Sequence, residues 1–123
     1  HYSHRMDMDS MSSASPYLHH EQQPDTSQMT TAQQRGAALF QQNCAFCHGA
    51  DGTGKNWIGS FLEPRARDLT SDAITTQASE RLVDVIRNGL AGTSMPAWKH
   101  VLNDSQIYDV ISFLKRNNNN PIP

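Results

Sequence analysis

Val, Ile, Phe and Trp are absent from residues 1–30 and all occur in residues 31–123. The first stretch is rich in Ser, Met, His, Asp and Gln and shows neither a helical nor a strand period, which predicts a flexible arm. The pattern changes at Thr30. Thr30 with Gln33, or Thr31 with Gln34, suits a capping box. Gly36, Ala37, Leu39 and Phe40 then form a short apolar face on a helix ending near Asn43–Cys47. From Gly49 to Ala73 four glycines and Pro64 predict an irregular segment, with Asp72–Ala73 as the one place a helical turn can begin. A second helix is predicted over Ser79–Asn88, with Ser79 as N-cap, Leu82, Val85 and Ile86 on one face, and Gly89 after its end. A third is predicted over Asp104–Arg116, capped by Asp104 and striped by Ile107, Val110, Ile111 and Leu114, with Phe113 beside them. Lys115 and Arg116 stand at the end that the helix dipole favours. The pattern is all-α, divided into an arm (1–30), a domain (31–117) and a tail (118–123).

Composition sharpens this picture. With 37% hydrophobic residues and a mean hydropathy of −0.63, a domain of about 90 residues has little core of its own and calls for a covalent or metal staple. The first 30 residues hold one arginine against four acids, and the remainder nine basic residues against eight acidic ones. No basic stripe argues for nucleic acid, and no apolar run is long enough to span a bilayer. The start at His1, without Met or a recognisable signal peptide, reads as a processed or trimmed product.

The chain has two cysteines, both within Cys44-Ala45-Phe46-Cys47-His48. Two thiols three positions apart can reach both vinyl groups of one porphyrin edge, which holds the adjoining imidazole beneath the iron; this is the c-type haem attachment pattern. A thioredoxin-like redox pair needs a strand before the motif and a helix after it, whereas here a helix leads into a Gly-rich loop. A zinc ribbon needs a second cysteine pair, and none exists. His48 is therefore the expected proximal ligand. For the second axial ligand, Met95 is the one methionine after the motif. It lies in a loop between two helices, and Pro96 restricts its backbone to an extended form. Core filling is the plainer role for a methionine, and His100 is the rival ligand.

These motifs together resemble the class I monohaem cytochromes c, over about residues 31–117. Gly36 and Phe40 stand where the family's first helix carries a glycine and an aromatic, and Asp109–Lys115 resembles its last helix. His48–Gly54 is similar to the Gly-rich loop of many bacterial members, and Ile86–Gly89 through Met95–Trp98 to their methionine segment. The resemblance implies a small cytochrome c fold, three main helices wrapped around one covalent haem c, with Gly36 packed closely against Val110 and Phe113. In the similar segment Pro64–Thr70 of bacterial members an arginine commonly reaches the haem propionates, which gives that role to Arg65 or Arg67. Trp57 is expected to donate its indole N–H to a propionate or to line the pocket, and Trp98 to pack beside the methionine loop. Haem attachment in this family implies a periplasmic or otherwise exported location.

The functional expectation is single-electron transfer between exported redox proteins, not catalysis. One alternative is a haem subunit fixed in a larger, membrane-associated oxidoreductase or respiratory complex. Another is a haem enzyme or gas sensor with a labile sixth ligand. In the arm, His1, His4, Met6, Met8, Met11, His19 and His20 are ligand types that suit copper. They follow no fixed spacing, and the same composition describes a plain tether.

Overall fold

The computed structural model describes residues 17–117. The His1, His4, Met6, Met8 and Met11 members of the copper set, and the tail 118–123, lie outside those residues. Among the described residues every regular element is helical. After a 3₁₀ turn, Leu18–Glu21, come α1 (Thr31–Asn43), α2 (Ala45–His48), α3 (Trp57–Phe61), α4 (Asp72–Thr75), α5 (Ser79–Asn88) and α6 (Asp104–Leu114). The short α3 falls inside the stretch expected to be irregular. It is started by Asn56, whose side chain accepts from the Gly59 N–H, so a single N-cap signal outweighs the surrounding glycines.

Thr30 and Gln33 form a reciprocal capping box that starts α1: Oγ1 of Thr30 accepts from the Gln33 N–H at 3.1 Å, and Gln33 Oε1 accepts from the Thr30 N–H at 3.0 Å. The same device starts α6, but from Asn103 with Gln106. Asp104 is thus the first helical residue and not the cap. Ser79 is likewise displaced: Ala78 occupies the N-cap position of α5 without a side-chain bond, and Ser79 Oγ accepts instead from Lys115 Nζ.

α1 lies against α6 with Gly36 at the crossing. A Cβ at position 36 would run into the Asp109 carbonyl and stand 3.0 Å from Phe113 Cβ, so only glycine allows this approach. Next to the crossing, Arg35 holds Asp109 with two N–H donations of 2.9 and 3.2 Å. On the inner side Phe40 meets Phe113 at 5.3 Å between ring centroids. Around this pair the buried core collects Ala37, Ile74, Leu82, Val83, Ile86, Leu102, Ile107, Val110 and Ile111. α5 completes it by packing on α6. Among the described residues, no helix is long and apolar enough to cross a membrane.

Candidate cofactor site

One face of this core opens onto a cavity of about 610 Å³. Its wall is mainly apolar: Phe40, Leu62, Leu69, Ile74, Leu82, Val85, Ile86, Leu90, Trp98, Val110 and Leu114. An apolar wall of this extent is far more than a folded domain of this size leaves uncovered without a ligand or partner. The fold calls for a large apolar group at this place.

Cys44, Cys47 and His48 line the cavity together. Cys44 ends α1 and the next three residues make the single turn of α2, with the His48 and Gly49 N–H groups bonded to the Cys44 and Ala45 carbonyls. Burial pushes the Cys44 thiol up to about 12, with the neighbouring Cys47 adding to the effect, and burial raises Cys47 too. A disulfide oxidoreductase needs the opposite, a thiolate stabilised near neutral pH. The redox-pair reading therefore lacks both its strand and its electrostatics.

His48 Nδ1 lies 3.1 Å from the Arg67 carbonyl oxygen. A carbonyl only accepts, so Nδ1 carries the proton, and Nε2 of the neutral ring keeps its lone pair. Burial lowers the His48 pKa more strongly than the Arg67 carbonyl raises it, which holds the imidazole in the form that binds metal. The Arg67 carbonyl is itself set by glycine. The Gly54 N–H donates to the His48 carbonyl at 2.6 Å; Gly54 has φ +72°, and a Cβ there would lie 2.5 Å from the Ala66 carbonyl oxygen.

Met95 lines the same cavity, while the rival His100 is exposed and outside the lining. The Met95 N–H donates to Thr93 Oγ1, the Leu90 N–H to the Met95 carbonyl, and the Trp98 N–H to the Ile86 carbonyl at the end of α5. Gly89, at φ +74°, lets this segment close in: a Cβ there would stand 2.8 Å from the Met95 carbonyl oxygen. Arg65 and Arg67 both reach the lining. Trp57 does not: it is 54% exposed, edge-on to Phe61 at 5.7 Å, and outside the cavity wall.

Sequence reasoning missed two residues here. Asn56 is 1% exposed and donates to the Phe46 carbonyl at 2.9 Å, which braces the Cys44–His48 turn; its place before a short apolar run was the available signal. Arg81 lines the cavity from α5, and nothing in the sequence separates it from an ordinary surface arginine. His20, counted with the copper set, is bound to Asp51 at 2.7 Å. No group of three or more His, Cys, Asp or Glu among the described residues is placed to hold a metal ion.

Residues 31–114 match the family described as cytochrome c oxidase, cbb3-type, subunit III. The chain belongs to this family of cytochrome c domains. It is also 31% identical to cytochrome c6 of Bryopsis maxima, over 68% of this chain and 90% of that one. It is 38% identical to the cbb3-type cytochrome c oxidase subunit FixP of Azorhizobium caulinodans, over 63% of this chain and 25% of FixP. It is 29% identical to the cytochrome c subunit of the quinone alcohol dehydrogenase of Gluconobacter oxydans, over 72% of this chain and 19% of that subunit. The chain thus spans a quarter or less of those two subunits and most of cytochrome c6. It is a haem-binding electron-transfer domain of the cytochrome c type, small and all-α. The residues present fit the haem c of this family: an apolar cavity of suitable volume, two cysteines, a neutral imidazole with a free Nε2, and arginines at the wall.

Proposed function

We propose that this chain carries single electrons between exported redox proteins through one haem c, held by thioethers from Cys44 and Cys47, with His48 and Met95 as axial ligands. The observation that carries the reading is one apolar cavity whose wall joins the attachment motif to the methionine loop. Bound haem supplies reversible one-electron exchange. The chain supplies the rest. The Arg67 carbonyl fixes the His48 tautomer and ring direction. The hydrogen-bonded loop from Leu90 to Trp98 holds Met95 to the wall, and a thioether ligand in an apolar pocket favours the reduced state. Leu82, Val85 and Ile86 exclude water. Phe46, 71% exposed within the motif itself, gives a partner an apolar place to approach, and a nearly neutral domain favours weak, transient contacts. Copper is no part of this reading.

The optical spectrum of the purified protein, oxidised and reduced and with carbon monoxide added to the reduced form, tests it. We expect a low-spin c-type spectrum, a methionine–iron charge-transfer band and no carbon monoxide shift. A high-spin spectrum or prompt carbon monoxide binding would remove Met95 as a fixed ligand and turn the reading to catalysis or gas sensing.

The names of FixP and of the alcohol dehydrogenase subunit favour a second reading, a haem unit fixed in a larger oxidoreductase. The size of the protein isolated from its native source separates the two. A small freely diffusing species supports the carrier, and a large stable assembly supports the subunit.

A further inference from the structure

The cavity wall has an electrostatic bias that the chain as a whole lacks. Residues 31–123 are nearly balanced in charge, yet Arg65, Arg67 and Arg81 line the cavity with no Asp or Glu among the lining residues. Arginine–carboxylate pairs do form elsewhere among the described residues, between Arg35 and Asp109 and between Arg87 and Asp104. None of the three lining guanidiniums takes part in one. All three are exposed, and three cations at an apolar wall without an acidic neighbour in the lining suit a ligand that brings anionic groups. Arg65 and Arg67 come from the loop after α3. Arg81 comes from the first turn of α5, four residues before Val85 and five before Ile86, both in the wall. The i, i+4 spacing puts Arg81 on the same side of the helix as Val85, and Arg81 is exposed, as a residue at the rim of the cavity is.

We infer that Arg81 is a third anchor for the carboxylates of the bound cofactor, acting from α5 while Arg65 and Arg67 act from the loop. The ligand class is an apolar macrocycle bearing two carboxylates, and the inference rests on the haem reading above. A fixed cation beside those carboxylates offsets their charge and favours the state that holds one electron more. Arg81 is a binding and potential-setting residue, not a ligand to iron.

The test is the midpoint potential of the haem-loaded full chain, followed against pH and salt, for Arg81→Gln, Arg81→Lys and Arg87→Gln. Arg87 leaves the same helix but lies outside the cavity wall, 3.4 Å from Asp104, so its variant removes a charge and a surface ion pair from the same helix without touching the wall. We expect Arg81→Gln to have a lower potential than both the wild type and Arg87→Gln. Its pH-dependent step should move to higher pH, because carboxylates that lose a cation bind protons more readily. High salt should shrink the difference, and Arg81→Lys should recover most of the potential. Identical titrations for Arg81→Gln and Arg87→Gln would overturn the assignment and leave the haem reading intact. A wild-type protein without a c-type spectrum would overturn both.

Discussion

At residue 54 a methyl group would lie 2.5 Å from the Ala66 carbonyl oxygen and 2.9 Å from that of Arg67. The second of these is the acceptor of the His48 Nδ1 proton. Gly54→Ala therefore combines left-handed backbone strain, about 1–3 kcal/mol for a non-glycine residue, with displacement of the carbonyl that orients the His48 imidazole, the proposed proximal ligand. We expect a loss of stability of that order in denaturant unfolding, together with a changed midpoint potential. Stability lost with the potential untouched would mean that the Arg67 carbonyl does not tune His48. The histidine and the glycine were legible in the sequence as parts of one loop. Their connection through residues 66 and 67 was not, because a hydrogen bond across nineteen positions leaves no local pattern.

At the scale of elements, the 3₁₀ turn Leu18–Glu21 shows how a polar segment is fastened to the domain. The segment before Thr30 carries few apolar side chains, which predicts a flexible arm, yet part of it is held by polar bonds. His20 Nδ1 lies 2.7 Å from Asp51 Oδ2, Thr53 Oγ1 donates to Asp51 Oδ1 at 2.9 Å, and the Asp51 N–H donates to the His20 carbonyl at 3.4 Å. Burial pushes the Asp51 carboxyl up. The bonds from His20 and Thr53 pull it down further, so its pKa lies below the ordinary 3.8. A carboxylate depressed by folding stabilises the protein fully above its unfolded pKa, and that contribution disappears as pH falls through the folded value. Asp51→Asn should therefore be less stable than the wild type at neutral pH, and the gap should close as pH drops below about 4. Thermal unfolding of both proteins across pH 2 to 7 (a range on the order of that over which carboxylates titrate) checks this. Parallel curves would show that Asp51 contributes nothing through its charge. Hydrophobic periodicity found α1, α5 and α6 because each buries an apolar face. It was silent on α3 and on this turn, which are held by Asn56, His20 and Asp51.

For the whole molecule, the core and the cavity are one construction, since Phe40, Ile74, Leu82, Ile86 and Val110 belong to both. If Cys44 and Cys47 hold the cofactor as proposed, removing that attachment should therefore loosen more than a pocket. We expect the Cys44→Ala/Cys47→Ala protein, prepared without haem, to keep helical far-ultraviolet dichroism but to lose a cooperative thermal transition and to bind a hydrophobic dye. A sharp calorimetric transition in that protein would show that the helices pack independently of the cofactor.

The sequence by itself determined the family and the main helices. The Cys44–His48 pentapeptide and the methionine segment are contiguous, and the three long helices repeat apolar residues at a period their own backbones impose. Tertiary structure decided the cap identities at Asn103 and Ala78, the exclusion of Trp57 from the cavity, the tie between His48 and Arg67, and the arrival of Arg81 at the wall. Each of these depends on where distant backbones cross. Those crossings are governed by close approaches at Gly36, Gly54 and Gly89, which permit a contact without naming the partner that makes it.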